Sequence, residues 1–124
     1  MKAQKYLFAL VVFFVMPVLI FTVTPSFSFA GQSEQVIKIT AKKFEYSPSE
    51  IRVKKGVPVV LELTSLDRLH GFNCPELGIR SDINPGQIAR VRFTPQKKGT
   101  FVFFCDVFCG EGHEDMSGKI IVEE

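Results

Sequence analysis

Net charge is missing from most of this chain. Lys2 and Lys5 are the basic residues of the first thirty; beyond them 13 Lys and Arg balance 13 Asp and Glu over 94 residues. The formal excess of +2 therefore belongs to residues 1–30. A nucleic-acid binder usually carries a net basic footprint, so the balance argues against that class. The doublets Lys42-Lys43, Lys54-Lys55 and Lys97-Lys98 sit beside turn signals and read as solvated loop charge. Also missing after residue 34 are a sustained helical period, an internal repeat, a low-complexity tract and a long linker. Tryptophan is absent, histidine occurs twice, and Met116 is the one methionine after residue 30. Cysteine occurs three times, at 74, 105 and 109, and an odd count excludes complete internal pairing in an oxidising compartment. Metal ligation is the better use of at least two of them. No residue outside the His, Cys and Met set offers a dedicated base or oxyanion donor, which argues against a cysteine enzyme and against any catalytic site of its own.

Acidic residues are also lacking before Glu34. Lys2 and Lys5 precede an apolar run from Tyr6 to Val23, and Ser28-Phe29-Ala30 places small residues ahead of Gly31. That order of charged, apolar and small residues is the pattern of a secretory signal. The run also approaches the ~20 residues that span a bilayer, so a retained anchor is the alternative. Residues 1–30 are thus expected to be a signal peptide or N-terminal membrane anchor, with membrane contact only if they are retained. Residues 31–124 are expected to form one small periplasmic or extracytoplasmic domain.

What the domain does have is period-two alternation. Ile51 and Val53 alternate with charged neighbours over Glu50–Lys54; Val59, Leu61 and Leu63 share a face over Val59–Thr64. Ala89, Val91 and Phe93 oppose Arg90 and Arg92 over Ile88–Phe93, and Ile120 and Val122 repeat the theme over Lys119–Glu123. Such runs are strands with one buried face. Turn signals at Ser47-Pro48, Lys55-Gly56, Asn84-Pro85-Gly86 and Lys98-Gly99 separate them at the spacing of an all-β sandwich. Thr100–Cys105 is almost wholly apolar, so a central strand covered on both faces is expected there, delivering Cys105 to a pole of the sandwich.

The segment after that strand reads Cys105-Asp-Val-Phe-Cys109-Gly-Glu-Gly-His113-Glu-Asp-Met116, a spacing of C-x3-C-x3-H-x2-M. Twelve residues without structure of their own are usually functional. Thiolate, imidazole and thioether are soft or borderline donors, a set suited to copper. Taken singly, a buried Cys or Met is ordinary core; together, at short spacing on one loop, these rare residues are hard to credit to packing. His70 lies 35 positions before Cys105, and a sandwich brings the ends of distant strands to one pole. Cys74, four positions after His70 in the same segment, reads more simply as a small buried hydrophobe.

These motifs resemble the CuA cupredoxin domain of cytochrome c oxidase subunit II, shared with nitrous oxide reductase. The likeness runs from about Phe44 to the C-terminus and takes in Phe44-Glu-Tyr-Ser-Pro48, Asp67–Phe72, Asn84-Pro85-Gly86 and the whole C-x3-C-x3-H-x2-M loop. It implies a cupredoxin-like Greek-key β-sandwich holding two copper ions bridged by Cys105 and Cys109. His70 and His113 would bind one to each ion, with Met116 and the Val107 carbonyl as weak axial ligands. It further implies an electron carrier, or the electron-entry subunit of a terminal oxidase or reductase, served by a partner such as a c-type cytochrome. Phe72, Phe104 and Phe108 are expected to help keep water out. Many oxidase subunits carry a magnesium-binding carboxylate where this chain has Val107, an aromatic electron-entry patch that includes tryptophan, and two transmembrane helices where one apolar segment stands here.

Other readings of the same residues remain. A mononuclear blue-copper site would use His70, Cys109, His113 and Met116 and leave Cys105 superfluous. A copper-handling protein would use Cys105 and Cys109 to accept and pass on Cu(I). Asp106, Glu111, Glu114 and Asp115 surround the loop with negative charge suited to steering a basic partner.

Overall fold

In the computed structural model, Gly31 and residues 33–124 are described. The signal or anchor expected over residues 1–30 lies outside them. Nine strands follow in chain order: β1 Gln35–Lys42, β2 Glu45–Ser47, β3 Glu50–Lys54, β4 Val59–Ser65, β5 His70–Cys74, β6 Ile79–Ile83, β7 Ala89–Phe93, β8 Gly99–Phe104 and β9 Ser117–Glu123. They form two sheets, one ordered β2-β1-β4-β7 and the other β3-β9-β8-β5-β6. The β1–β4 and β3–β9 pairs are parallel; the rest are antiparallel. Among the described residues no helix is long and apolar enough to cross a membrane.

Alternation in sequence becomes a face in space. Ile39, Ala41, Leu61 and Leu63 of one sheet meet Ile51, Val53, Phe101, Phe103, Ile120 and Val122 of the other, all buried. The expected strands at Glu50–Lys54, Val59–Thr64, Ile88–Phe93 and Lys119–Glu123 are β3, β4, β7 and β9, with ends shifted by at most two residues. Tyr46, Phe72 and Phe103 pack at one end of the core. Phe72 stacks on Phe103 with centroids 4.6 Å apart, and Tyr46 meets Phe103 edge-on at 5.0 Å.

The expectation for Thr100–Cys105 needs correcting. β8 does lie in the middle of its sheet, between β9 and β5, but its outer face is open. Phe101 and Phe103 point inward, whereas Val102 is 46% and Phe104 38% exposed. The two sheets cover only each other's inner faces, so a continuous apolar run still divides by the period of two.

The connection of strand ends positions the site. β8 and β9 pair until Phe104 faces Ser117, and the Cys105 N–H then bonds the Met116 carbonyl at 3.1 Å. This bond closes the base of the twelve-residue loop, whose far part holds a single 3₁₀ turn at His113–Asp115. β5, antiparallel to β8, starts beside the loop with His70 and ends four residues on with Cys74. Cys74 is therefore roughly 13 Å along the strand from His70 and fully buried in the core. Burial pushes its thiol up, consistent with an inert core cysteine.

Candidate metal centre

Inward alternation along β8 continues past its end: Phe101, Phe103 and Cys105 share the core face. The loop folds back and lays the Cys109 sulfur 3.8 Å from that of Cys105, with Cys109 fully buried. His113 Nδ1 lies 3.5 Å and Met116 Sδ 3.9 Å from the Cys109 sulfur. On the other side, the Cys105 thiol donates to the Val107 carbonyl at 3.1 Å. A ring nitrogen of His70 and both thiol sulfurs lie within 4.8 Å of one another. All six residues expected from the sequence are thus brought to one pole. His113 is half-buried, and Met116 and His70 are wholly inside.

His70 carries the most informative detail. Its Nε2 is 2.6 Å from Asp67 Oδ1, so the carboxylate accepts the ring proton there. That assigns the lone pair to Nδ1, which is buried and without a hydrogen-bond partner, the one such side-chain atom among the described residues. Orphaned buried polar atoms are rare and call for an explanation. A metal ion beside the two sulfurs supplies one, and the donor set (two thiols, two imidazoles, a thioether and a carbonyl) fits a soft or borderline ion. Burial alone would raise the Asp67 carboxyl. Hydrogen bonds from the Lys43 N–H, from His70 and from the Arg68 N–H outweigh it and hold the group at about 2. Nothing local in the sequence marks Asp67 as a site residue except its place three residues before His70, the available signal for an orienting carboxylate.

Both thiols sit in a dry environment. Burial first, then the Cys105 thiol beside it, push the Cys109 thiol up to about 11. Phe72 is fully buried against Phe103 in the core, whereas Phe104 and Phe108, also expected to keep water out, turn outward. Phe108 is 76% exposed, and its ring is tilted against that of His113 with centroids 5.9 Å apart. Phe44, half-buried and packed against the core, lies against the loop's glycines. A Cβ built on Gly112 would fall 2.8 Å from its ring and one on Gly110 3.1 Å from it, and both glycines have positive φ.

Asp106 does not join an acidic patch. Arg80 of β6 grips its carboxylate at 2.9 and 3.0 Å, and Asn73 adds a third bond at 3.2 Å. The Arg80 guanidinium accordingly holds the Asp106 carboxyl below the usual range. Beneath this carboxylate lies Gly71, whose N–H donates to the Cys105 sulfur at 3.3 Å and whose carbonyl accepts from the Tyr46 hydroxyl at 2.6 Å. A Cβ there would lie 2.1 Å from Asp106 Oδ1, 3.1 Å from its backbone N and 3.2 Å from Val107. Gly71→Ala must therefore push the Asp106-Val107 segment outward against the grip of Arg80. Overpacking of this kind costs about 1–3 kcal/mol. The expected result in denaturant unfolding of the metal-free protein is a loss in that range, with weaker copper retention in a competition titration. Unchanged values in both would mean that the loop yields freely.

The family model for cupredoxin-like domains matches residues 10–122. Subunit 2 of cytochrome c oxidase from Thermus thermophilus is 34% identical over 94 residues, covering 76% of this chain and 70% of that protein. Nitrous-oxide reductase from Cupriavidus necator is 35% identical over 99 residues, which are 77% of this chain but 15% of the enzyme. Among solved structures, the periplasmic domain of subunit II of cytochrome oxidase (CoxB) of Bradyrhizobium japonicum superposes with a TM-score of 0.67. It covers 73% of this chain and 84% of that one at 23% identity, a likeness of fold. The chain belongs to the cupredoxin-like domain family and is homologous to subunit 2 of cytochrome c oxidase and to nitrous-oxide reductase.

Proposed function

We propose that this domain carries electrons through a dinuclear copper centre of the CuA type, held by His70, Cys105, Cys109, His113, Met116 and the Val107 carbonyl. The observation that carries the reading is the buried, partnerless Nδ1 of His70 beside two buried thiols. A single four-coordinate ion would leave part of a six-donor set unused. Two ions sharing both sulfurs would use it all, one imidazole and one weak donor falling to each. When bound, the copper pair supplies a one-electron couple. The protein's own contribution is to keep the donors still: Asp67 fixes the His70 ring, the Cys105-to-Met116 backbone bond closes the loop, and the apolar core excludes water. A site that changes little between oxidation states has a small reorganisation cost, which is what an electron carrier needs.

Export of residues 31–124 with a cleaved or retained leader fits this role, as does work as, or alongside, subunit II of a terminal oxidase. The partner expected is a basic protein such as a small c-type cytochrome. Glu111, Glu114 and Asp115 are exposed around the loop, while Asp106 is already paired with Arg80. Steering by three carboxylates is weaker than by four. The bimolecular electron-transfer rate from a basic cytochrome is expected to fall severalfold as ionic strength rises from about 0.01 to about 0.1 M, where the screening length shortens from ~30 to ~10 Å. A rate that stays flat or climbs removes the acidic steering and leaves the copper assignment in place. Counting copper in the loaded protein tests the assignment itself.

A further inference from the structure

The loop that bears Cys109 is also gripped by Arg68. This residue lies in the β4–β5 connection, between Asp67 and the strand entry at His70, and its side chain is exposed. Its Nη1 donates to the Cys109 carbonyl at 2.8 Å, across 41 positions of sequence. Among the described residues it forms no ion pair with a carboxylate, unlike Arg52, Arg80, Arg90 and Arg92. The same guanidinium passes 3.8 Å from where a Cβ on Gly110 would stand. Gly110 has φ +130 and its carbonyl accepts the His113 N–H at 3.2 Å. The arginine thus reaches the backbone at the point where the chain turns from one thiol ligand toward the second imidazole.

We propose that Arg68 is a positioning residue: it cross-braces the His70 side of the pole to the Cys109 end of the loop and holds that sulfur in place before metal arrives. Three observations together support this. The arginine has no carboxylate competing for its fork. Its target is the main chain of a sulfur-bearing residue, so the bond fixes where Cα and Sγ of Cys109 sit. Its neighbours in sequence, Asp67 and His70, are themselves locked, since Asp67 accepts the Lys43 N–H at 2.8 Å and the Arg68 N–H at 2.7 Å while holding the imidazole. The brace is therefore anchored at its own root. At the start of the loop Arg80 grips Asp106, next to Cys105, so each thiol-bearing residue has a guanidinium bonded at or beside it.

The inference rests on the copper reading for its consequence but not for its geometry, and its test has an arm for each. Hydrogen exchange is measured on the metal-free chain, and copper release to a chelator on the loaded chain, for wild type, Arg68→Gln and Arg68→Lys, with Arg90→Gln on the opposite sheet as control. A charge-assisted hydrogen bond on an exposed side chain supports an effect of about three- to tenfold. Arg68→Gln is expected to speed exchange of the His113 amide by that factor with Ile120 in β9 unchanged, and to speed copper release comparably. Arg68→Lys, which keeps the charge and a donor, is expected to fall between the two. Exchange and release both unchanged in Arg68→Gln would overturn the brace. Equal acceleration at His113 and Ile120 would also overturn it, by showing a general loss of stability. If the wild type takes up no copper, the functional reading falls and the exchange measurement still decides the brace.

Discussion

Cys109→Ser is expected to abolish the metal centre, and Cys105→Ser to convert its spectrum rather than leave it intact. Cys109 is the residue around which the other donors gather. The sulfurs of Cys105 and Met116 and a nitrogen of His113 lie within 3.9 Å of its own. Serine at this position replaces the soft thiolate donor by a hard, neutral hydroxyl that holds copper far more weakly. Cys105 is the discriminating position. If both thiolates bridge two ions, Cys105→Ser removes one bridge, and the delocalised signature of two equivalent coppers collapses. If one ion is held by His70, Cys109, His113 and Met116, Cys105→Ser leaves the chromophore nearly unchanged. Optical and electron-spin spectra of the two variants, prepared with equal copper, decide between these outcomes.

Phe103→Ala is expected to cost about 3–5 kcal/mol of folding stability, the usual range for emptying an aromatic site in a core. Phe103 is fully buried, stacks on Phe72 and receives the edge of Tyr46. Little in its surroundings is free to collapse into the space. The Tyr46 hydroxyl is tied to the Gly71 carbonyl, and Gly118 leaves only enough room for the Phe103 ring, since a Cβ there would fall 2.3 Å from it. For a domain of about 90 residues each kcal/mol moves the midpoint by roughly 4–8 °C. Thermal unfolding of the metal-free variant should therefore drop by tens of degrees. A shift of only a few degrees would show that the three rings repack, and that the aromatic cluster is not what supports the metal pole.

Different parts of this molecule were legible in the sequence to different degrees. The fold class followed from alternation, because one buried face per strand leaves a direct trace in β3, β4, β7 and β9. The candidate site was legible because its donors are rare residue types crowded on a single loop, with His70 the one distant member. The misreadings share a cause. The run Phe101 to Phe104 was weighed by composition, and composition does not say which of two alternating faces is covered; Val102 and Phe104 turned outward. Phe108 is next to Cys109 in sequence yet turns outward, while the ring that lies against the loop's glycines is Phe44, far away in the chain. Asp106 looked like free negative charge until β6, antiparallel to β5, placed Arg80 beside it. The pairings that brace the loop, Arg80 to Asp106 and Arg68 to Cys109, span 26 and 41 positions. They depend on strand register, and no local pattern announces them.

The central claim is that two copper ions share the sulfurs of Cys105 and Cys109, and one experiment addresses it most directly. Residues 31–124 are loaded with copper, the metal is counted against protein, and the electron-spin spectrum of the oxidised form is recorded on the same sample. The account predicts two coppers per domain and a hyperfine pattern split by both nuclei. One copper per domain with an intense blue colour and a four-line pattern would contradict it and transfer the site to the mononuclear reading.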